Sequence, residues 1–145
     1  MDVHDKETRS YNMSHIRAGK TKPEEIVAKY LFSAGFRYRR NVKNLPGTPD
    51  IVLKKYKTVI FVNGCFGHMH EGCKYFVWPQ DNAEFWRKKL FANKERDEKE
   101  QIEHARLGWN VIVVWECELK KDKREATLQN LVATLRENRN ESNKL

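Results

Sequence analysis

The chain has 145 residues, and its 28 lysines and arginines outnumber its 20 aspartates and glutamates, which gives a formal net charge of +8. This length suits one domain that buries roughly 68–70% of the surface of its unfolded chain, so disulfides are not needed for folding. The charge favours a polyanionic partner, most simply nucleic acid, and no apolar stretch approaches the ~20 residues of a membrane span.

The first 20 residues are polar and basic, with little apolar periodicity. Two interpretations are open: a frayed terminus, or a basic arm that closes on DNA through cations such as Lys6 and Arg9. The opening Met1-Asp2-Val3-His4 does not have the pattern of a signal peptide, so a cytoplasmic location is expected.

The main domain is expected over residues 21–138, and it opens with a helix. Thr21 suits the cap of this helix, Pro23 its first turn and Glu24 the capping-box position. Gly35 ends the helix. Its apolar stripe consists of Ile26, Val27, Tyr30 and Leu31.

Short strands follow the first helix. Alternation of apolar residues with arginines predicts a half-buried edge strand over 36–42. Two apolar runs, 51–53 and 58–62, are separated by a tight turn and predict a hairpin. An irregular loop at 63–80 comes next.

The second half of the chain is mostly helical. Asn82 is expected to cap a long polar helix that runs to about Arg106 and stops at Gly108. A buried strand is predicted over 111–115, an amphipathic helix over 124–138 and a disordered tail over 139–145. The inward positions of the last helix are Leu128, Leu131, Val132 and Leu135. This order, α-β-β-β-α-β-α, predicts the α/β class, with a single mixed sheet flanked by helices.

Cysteines and histidines are spaced for a metal site. Three cysteines in a reducing compartment favour metal binding over disulfides. Cys65, His70 and Cys73 supply three zinc ligands from one loop, and Cys117, just past a strand, supplies a fourth. The alternative for Cys117 is an ordinary buried thiol. His68 lies in the same loop, so one histidine is left over.

Asp50 stands at a loop-to-strand boundary, where a carboxylate projects at one edge of the sheet. A nuclease needs a divalent cation, a carboxylate to hold it and a base to deprotonate water. The hairpin would bring the loop histidines beside Asp50, and a neutral imidazole suits the role of base. The simpler alternative is a plain turn aspartate after Pro49.

Polar and aromatic side chains on the long helix are a further candidate surface. Its polar stripe includes Asn93, Arg96 and Asp97, and a solvated face is the usual meaning of such a stripe. Trp86 at the start of the helix and Phe66 at the tip of the loop are either core residues or wedges that separate base steps.

At these residues the chain resembles the very-short-patch-repair (Vsr) mismatch endonucleases. The resemblance covers nearly the whole chain in an ordered series of motifs. These are Asp2-Val3-His4-Asp5-Lys6, Leu45-Pro46-Gly47-x-Pro49-Asp50, Gly64-Cys65-Phe66, Glu84-Phe85-Trp86, Asn93-x-x-Arg96-Asp97, Leu107-Gly108-Trp109 and Val114-Trp115-Glu116-Cys117. It implies a fold similar to type II restriction enzymes and magnesium-dependent nicking of one strand beside a T·G mismatch that arises from deaminated 5-methylcytosine.

The resemblance also implies roles for individual residues. Asp50 would bind the catalytic Mg²⁺ with help from the backbone carbonyl of Val62, His68 would be the general base, and Glu24 and Asp97 would lie in the catalytic shell. Cys65, His70, Cys73 and Cys117 would hold a structural Zn²⁺. DNA contacts are expected from the N-terminal arm and from Phe66, Trp86, Asn93 and Arg96, with Phe66 and Trp86 intercalating beside the mismatch.

Two positions depart from the family pattern. Gly67 stands where a second aromatic wedge, tryptophan, is common, and Asn63 stands where some members carry a histidine. These changes bear on mismatch preference and rate, while the catalytic pair and the zinc ligands are retained. A monomer in the bacterial cytoplasm, associated with the nucleoid and with other repair proteins as further partners, is expected. Two rivals are open: a restriction-type endonuclease on undamaged DNA, and a zinc-stapled DNA-binding module without catalysis.

Overall fold

A computed structural model describes the backbone of residues 22–143 and the side chains of 22–139. The predicted cap Thr21 and the arm cations Lys6 and Arg9 lie outside the described residues. The elements are α1 (Lys22–Ser33), β1 (Arg39–Arg40), β2 (Ile51–Leu53), β3 (Thr58–Asn63), α2 (Ala83–Arg106), β4 (Asn110–Trp115) and α3 (Arg124–Asn143), with short 3-10 turns at Lys54–Tyr56 and Glu116–Leu119. No helix in this part of the chain is long and apolar enough to cross a bilayer.

The four strands form one sheet in the order β1-β2-β3-β4. β2 pairs antiparallel with β1 and with β3, whereas β4 runs parallel to β3. A parallel pair needs a long crossover connection, and the loop and α2 between β3 and β4 provide it. The predicted class, a single mixed sheet with flanking helices, is confirmed, and so is the predicted hairpin.

The two edge strands differ from the sequence prediction. The strand expected over 36–42 contracts to Arg39–Arg40, because Phe36 is buried in the core and the Tyr38 hydroxyl donates to the Ala28 carbonyl at 2.8 Å. The strand expected to be buried at 111–115 is the other edge of the sheet. Among the strands of residues 22–143 it has a neighbour on one side only, and Val114 is its single fully buried residue.

Two helix ends also differ. Asn82 precedes α2 but has a left-handed backbone with φ of 55°, and its side chain makes no capping hydrogen bond. The last helix was expected to end at 138 and continues to Asn143, since no glycine or proline follows to stop it.

The core lies between the sheet and the pair α1 and α3. The predicted stripes of both helices face inward, and Val27, Leu31 and Leu135 are completely buried against Ile51 and Ile60 of the sheet. α2 is much more polar, with only Leu90 and His104 buried. This leaves α2 free to present polar side chains at the end of β3, where the candidate site lies.

Candidate active site and metal centre

The loop after β3 and the turn after β4 bring together the four residues predicted to bind zinc. Ligand atoms of Cys65, His70, Cys73 and Cys117 all lie within 4.8 Å of one another. Tetrahedral bonds of the usual Zn–S and Zn–N lengths place a sulfur and a nitrogen ligand about 3.6 Å apart. The Cys117 Sγ is 3.6 Å from the His70 Nδ1, so the cluster fits a zinc ion.

Groups around the cluster hold its ligands in place. The His70 ring stacks on Trp115, with ring centroids 3.9 Å apart and planes 3° from parallel. The backbone N–H of Cys117 donates to the Cys65 Sγ at 3.4 Å, and that of His70 to the Cys65 carbonyl at 2.9 Å. Such outer contacts orient metal ligands before the ion binds.

The thiols need a cation before they ionise together. Burial raises the pKa of Cys65 to about 12 and also raises the pKa of Cys117. For Cys73 partial burial acts in the same direction, but hydrogen bonds from the backbone N–H of Tyr75 and from the neighbouring thiols lower its pKa. Thiolates are the form that binds metal, so metal binding and thiol deprotonation are coupled here.

The histidine left over from the metal cluster faces α2. The His68 Nδ1 is 2.7 Å from the Asp97 Oδ2. The loop that carries His68 is tied to the same helix, because the Asn93 side-chain amide donates to the Gly67 carbonyl at 3.1 Å. Arg96 in turn donates to the Asn93 Oδ1 at 2.8 Å. Asn93 and Arg96, which were predicted to contact DNA, thus also hold the His68 loop; their DNA contacts stay a prediction.

Asp50 is fixed at the start of β2. Its Oδ2 accepts a hydrogen bond from the Val62 N–H at 2.7 Å, and its carbonyl accepts one from the Asn41 N–H at 3.1 Å. Neither contact uses the second carboxylate oxygen. The Asp50 carboxylate therefore lies beside the backbone near the end of β3, next to Val62.

A second carboxyl group faces Asp50. Glu24, in the first turn of α1, has 3% of its side chain exposed. Burial, followed by the hydrogen bond and negative charge of Asp50, raises the pKa of Glu24 to about 8, although Arg40 opposes the shift. Arg40 donates to the Glu24 Oε2 at 3.0 Å and to the Glu25 Oε1 at 2.7 Å. Two adjacent carboxyl groups with a partial cationic counterweight form a site that favours a further positive charge.

The end of β3 connects the two polar pairs. Asn63, 6% exposed, follows Val62 and lines a depression of about 310 Å³ together with His68 and Asp97. Val62, the residue before Asn63, thus binds Asp50, and Asn63 lines the pocket of the His68–Asp97 pair. The structure brings all four predicted catalytic-shell residues to one end of the sheet.

Two residues on α2 were given no place in the site by the sequence analysis: His104 was not singled out, and Glu100 was placed only in the polar stripe of the helix. His104 is fully buried, and its Nε2 is 2.7 Å from the Pro46 carbonyl in the loop that leads to Asp50. Gly47 of that loop packs directly against the Glu100 carboxylate. Burial and the nearby charge of Asp97 raise the pKa of Glu100. Spacings of three, four and seven residues place Asp97, Glu100 and His104 on one helix face, which was the available sign of a shared role.

The two aromatic residues predicted to intercalate are in contact. The rings of Phe66 and Trp86 meet edge to face with centroids 5.3 Å apart. Phe76 lies 6.0 Å from Phe66, and Phe85, 58% exposed, lies 5.4 Å from Trp86. The Lys89 Nζ stands 5.6 Å from the Trp86 ring centroid. This group, here called the aromatic cluster, combines one exposed and three partly buried rings with a cation beside the loop that carries His68.

Comparisons with known proteins agree with this arrangement. A family model for the DNA mismatch endonuclease Vsr matches residues 1–74. The type II nicking enzyme V.NmeAIP of Neisseria meningitidis is 50% identical over 82% of this chain and 84% of its own length. The type II nicking enzyme V.XorIIP of Xanthomonas oryzae is 42% identical over 87% and 93% of the two chains. The DNA mismatch endonuclease Vsr of Escherichia coli is 44% identical over 82% of this chain and 76% of its own. The chain therefore belongs to the Vsr family of DNA endonucleases.

Proposed function

We propose that this protein nicks one strand of a DNA duplex beside a T·G mismatch by magnesium-dependent hydrolysis of a phosphodiester. One observation carries the proposal: the hydrogen-bonded pairs Asp50–Val62 and His68–Asp97 flank the same strand end. A carboxylate that can hold a cation and a histidine oriented by a second carboxylate are the two protein groups that such a hydrolysis needs. A single mismatch is asymmetric, so the protein acts as a monomer, on chromosomal DNA in the cytoplasm.

His68 is the general base of this proposal. A carboxylate only accepts hydrogen bonds, so the contact with Asp97 keeps the imidazole proton on Nδ1 and leaves the Nε2 lone pair available. Nε2 takes a proton from the attacking water as the water oxygen bonds to phosphorus. One P–O ester bond then breaks, and the departing oxygen takes up a proton from solvent water. Asp97 orients the ring and stabilises its protonated form.

The carboxyl pair of Asp50 and Glu24 is suited to a hard cation. Mg²⁺ is usually bound through one or two carboxylates plus substrate phosphate and water. Asp50 and the Val62 carbonyl would hold it, with Glu24 nearby. When bound, the ion would polarise the phosphate and stabilise the charge that develops on it. The raised pKa of Glu24 supports this reading, because a cation would relieve the repulsion that contributes to it.

T·G selectivity is attributed to the aromatic cluster. A wobble pair stacks less well than a normal pair, so it costs less to separate, and an inserted aromatic ring converts this difference into selectivity. Phe66 and Trp86 contact each other, and we assign to both rings the insertion between base pairs. Gly67 adds no ring, and its carbonyl accepts a hydrogen bond from the Asn93 side chain. The wedge of this protein thus rests on two rings.

The test is a nicking assay on matched duplexes. We expect wild-type protein with Mg²⁺ to nick a T·G duplex much faster than its T·A control, and to nick neither duplex when Mg²⁺ is left out. Asp50→Ala should abolish nicking with duplex binding retained, and His68→Ala should lose on the order of 10²–10⁴-fold. Asp81→Ala, a change at an exposed carboxylate next to α2, is the matched control and should be neutral.

The outcomes separate the rival functions. Equal rates on T·G and T·A would favour a restriction-type endonuclease that acts on undamaged DNA. Tight duplex binding without nicking, under every metal tried, would favour a DNA-binding module. A wild-type rate for His68→Ala would remove His68 from the role of base while leaving the rest of the proposal standing.

A further inference from the structure

A basic groove shares no residue with the metal cluster, the carboxyl pair, the His68–Asp97 pair or the aromatic cluster. It is about 370 Å³ in volume and runs between the start of α1 and the segment that joins β4 to α3. Its charged lining consists of Lys22, Lys120, Lys121 and Arg124 against one carboxylate, Glu116. The groove is partly open to solvent and contains no aromatic side chain among its lining residues.

The cations of the groove are available to a ligand. Within residues 22–139, none of the four forms an ion pair with an acidic side chain. Arg124 is oriented by a hydrogen bond from its Nε to the Leu119 carbonyl at 2.9 Å, and its other guanidinium donors have no partner among the described residues. The Lys120 Nζ is 4.9 Å from the Tyr75 ring centroid, a contact that orients the lysine side chain without neutralising its charge.

Both walls of the groove connect to the active site. On one wall Pro23 immediately precedes Glu24, the carboxyl group that faces Asp50. On the other wall the Glu116 carboxylate lies beside Gly64, the residue that follows β3. Both walls therefore adjoin residues at the end of β3, and a strand bound in the groove would lie close to that end.

We infer that this groove binds the sugar–phosphate backbone of the duplex next to the scissile bond, with Lys120, Lys121 and Arg124 contacting phosphates. Excess positive charge without aromatic platforms suits phosphate contacts, which position a duplex but carry no sequence information. The duplex is the substrate of the proposed function, so groove binding rests on that function. The zinc cluster supports the groove as well, since Cys117 lies in the turn that forms its wall.

The experiment measures duplex affinity as a function of salt. The full-length zinc-loaded protein is titrated against labelled T·G and T·A duplexes without Mg²⁺, so that no cleavage occurs. The test variant is the double change Lys120→Gln and Lys121→Gln, because neither side chain donates a hydrogen bond to the described backbone. Arg124→Gln is a second variant. The matched controls are Arg136→Gln, on the exposed face of the same helix, and the pair Lys54→Gln and Lys55→Gln, at the hairpin turn.

We expect the lysine pair variant to bind both duplexes more weakly, by the same factor of roughly ten or more at moderate salt. The slope of log affinity against log salt should become shallower by about 0.9 for each phosphate that the protein no longer neutralises, so by nearly 2 for both lysines. Both controls should keep the wild-type affinity and slope. The nicking rates of both control variants should stay at the wild-type value, because their side chains lie outside the groove.

Three results would overturn the assignment. One is an unchanged salt slope in the lysine pair variant, and another is an equal loss of affinity in the hairpin-turn control, which would mean that only net charge matters. The third is a weakening confined to the T·G duplex, which would place the lysines in mismatch recognition. Failure of the proposed function would give a different result, namely wild-type protein that nicks T·G and T·A duplexes equally or not at all. The salt slopes could still be measured in that case, so the two failures are distinguishable.

Discussion

The facing carboxyl groups of Glu24 and Asp50 repel each other when both are ionised, so neutralising one of them should stabilise the protein. We expect Asp50→Asn to lower the pKa of Glu24 and to raise the free energy of unfolding at neutral and alkaline pH. The asparagine side-chain oxygen still accepts the hydrogen bond from the Val62 N–H, so the backbone contact at 2.7 Å is retained. The substitution therefore removes mainly the charge that faces Glu24.

The magnitude follows from the pKa of Glu24. Its rise from the ordinary value of 4.5 to about 8 corresponds to roughly 5 kcal/mol of disfavoured ionisation in the folded state. Burial is the largest cause, and Asp50 contributes the next two, through its hydrogen bond and its charge. We therefore expect Asp50→Asn to lower the cost of ionising Glu24 in the folded protein by about 1–2 kcal/mol. The rest of that cost comes from the burial of Glu24 and should remain.

The sign of the pH dependence is set by the raised pKa. Stability contributed by neutral Glu24 is fully present below pH 4.5, declines as the pH rises and is lost above about pH 8. In Asp50→Asn the decline should be smaller and should end at a lower pH. The two proteins should accordingly differ little near pH 4.5 and most above pH 8.

Urea unfolding from pH 5 to pH 9, without added Mg²⁺, measures this difference, and the NMR titration of the Glu24 side-chain carboxyl carbon measures the pKa itself. Asp122→Asn, a change at an exposed carboxylate in the segment before α3, is the control and should follow the wild-type curve. The reasoning is refuted if Asp50→Asn is less stable than wild type at pH 9, or if the Glu24 carbon titrates at the same pH in both proteins.

Three further outcomes are expected. Cys117→Ser should lower the zinc content from about one ion per chain and reduce the melting temperature sharply, because metal binding is coupled to folding; a fully folded protein without metal would contradict the zinc centre. His104→Phe should leave the Pro46 carbonyl without its partner, lower the free energy of unfolding by about 1–3 kcal/mol and slow nicking by displacing the Asp50 loop. His104→Gln keeps a donor, so it should recover much of the lost stability and of the lost nicking rate. Equal effects of the two variants on nicking would mean that His104 only fills space. Trp86→Ala should reduce the T·G to T·A rate ratio strongly, while Phe85→Ala, at the more exposed neighbouring ring, should reduce it less; an equal fall of both rates in Trp86→Ala would show that Trp86 only packs the fold.

The sequence by itself determined the local elements and the metal centre. Apolar spacing of three and four residues located the inward faces of α1 and α3, because a helix that packs on one side must repeat its apolar residues with the helical period. Soft ligands crowded into a short loop identified Cys65, His70 and Cys73, since few other arrangements use thiols and imidazole at that spacing. The position of Cys117 just past a strand, 44 positions further on, made it the candidate for the fourth ligand, and the resemblance implied the same assignment.

Only the tertiary structure decided which distant side chains meet. Nothing local to Glu24 shows that it will be buried against Asp50, and nothing local to His104 shows that it will bond to Pro46, 58 positions away. The length of β1 was also decided by packing, because Phe36 and Tyr38 gain more from the core and from α1 than from strand pairing. Periodicity records which face of an element is apolar, whereas contacts between elements depend on how the whole core closes, and the electrostatics of the site follow from that closure.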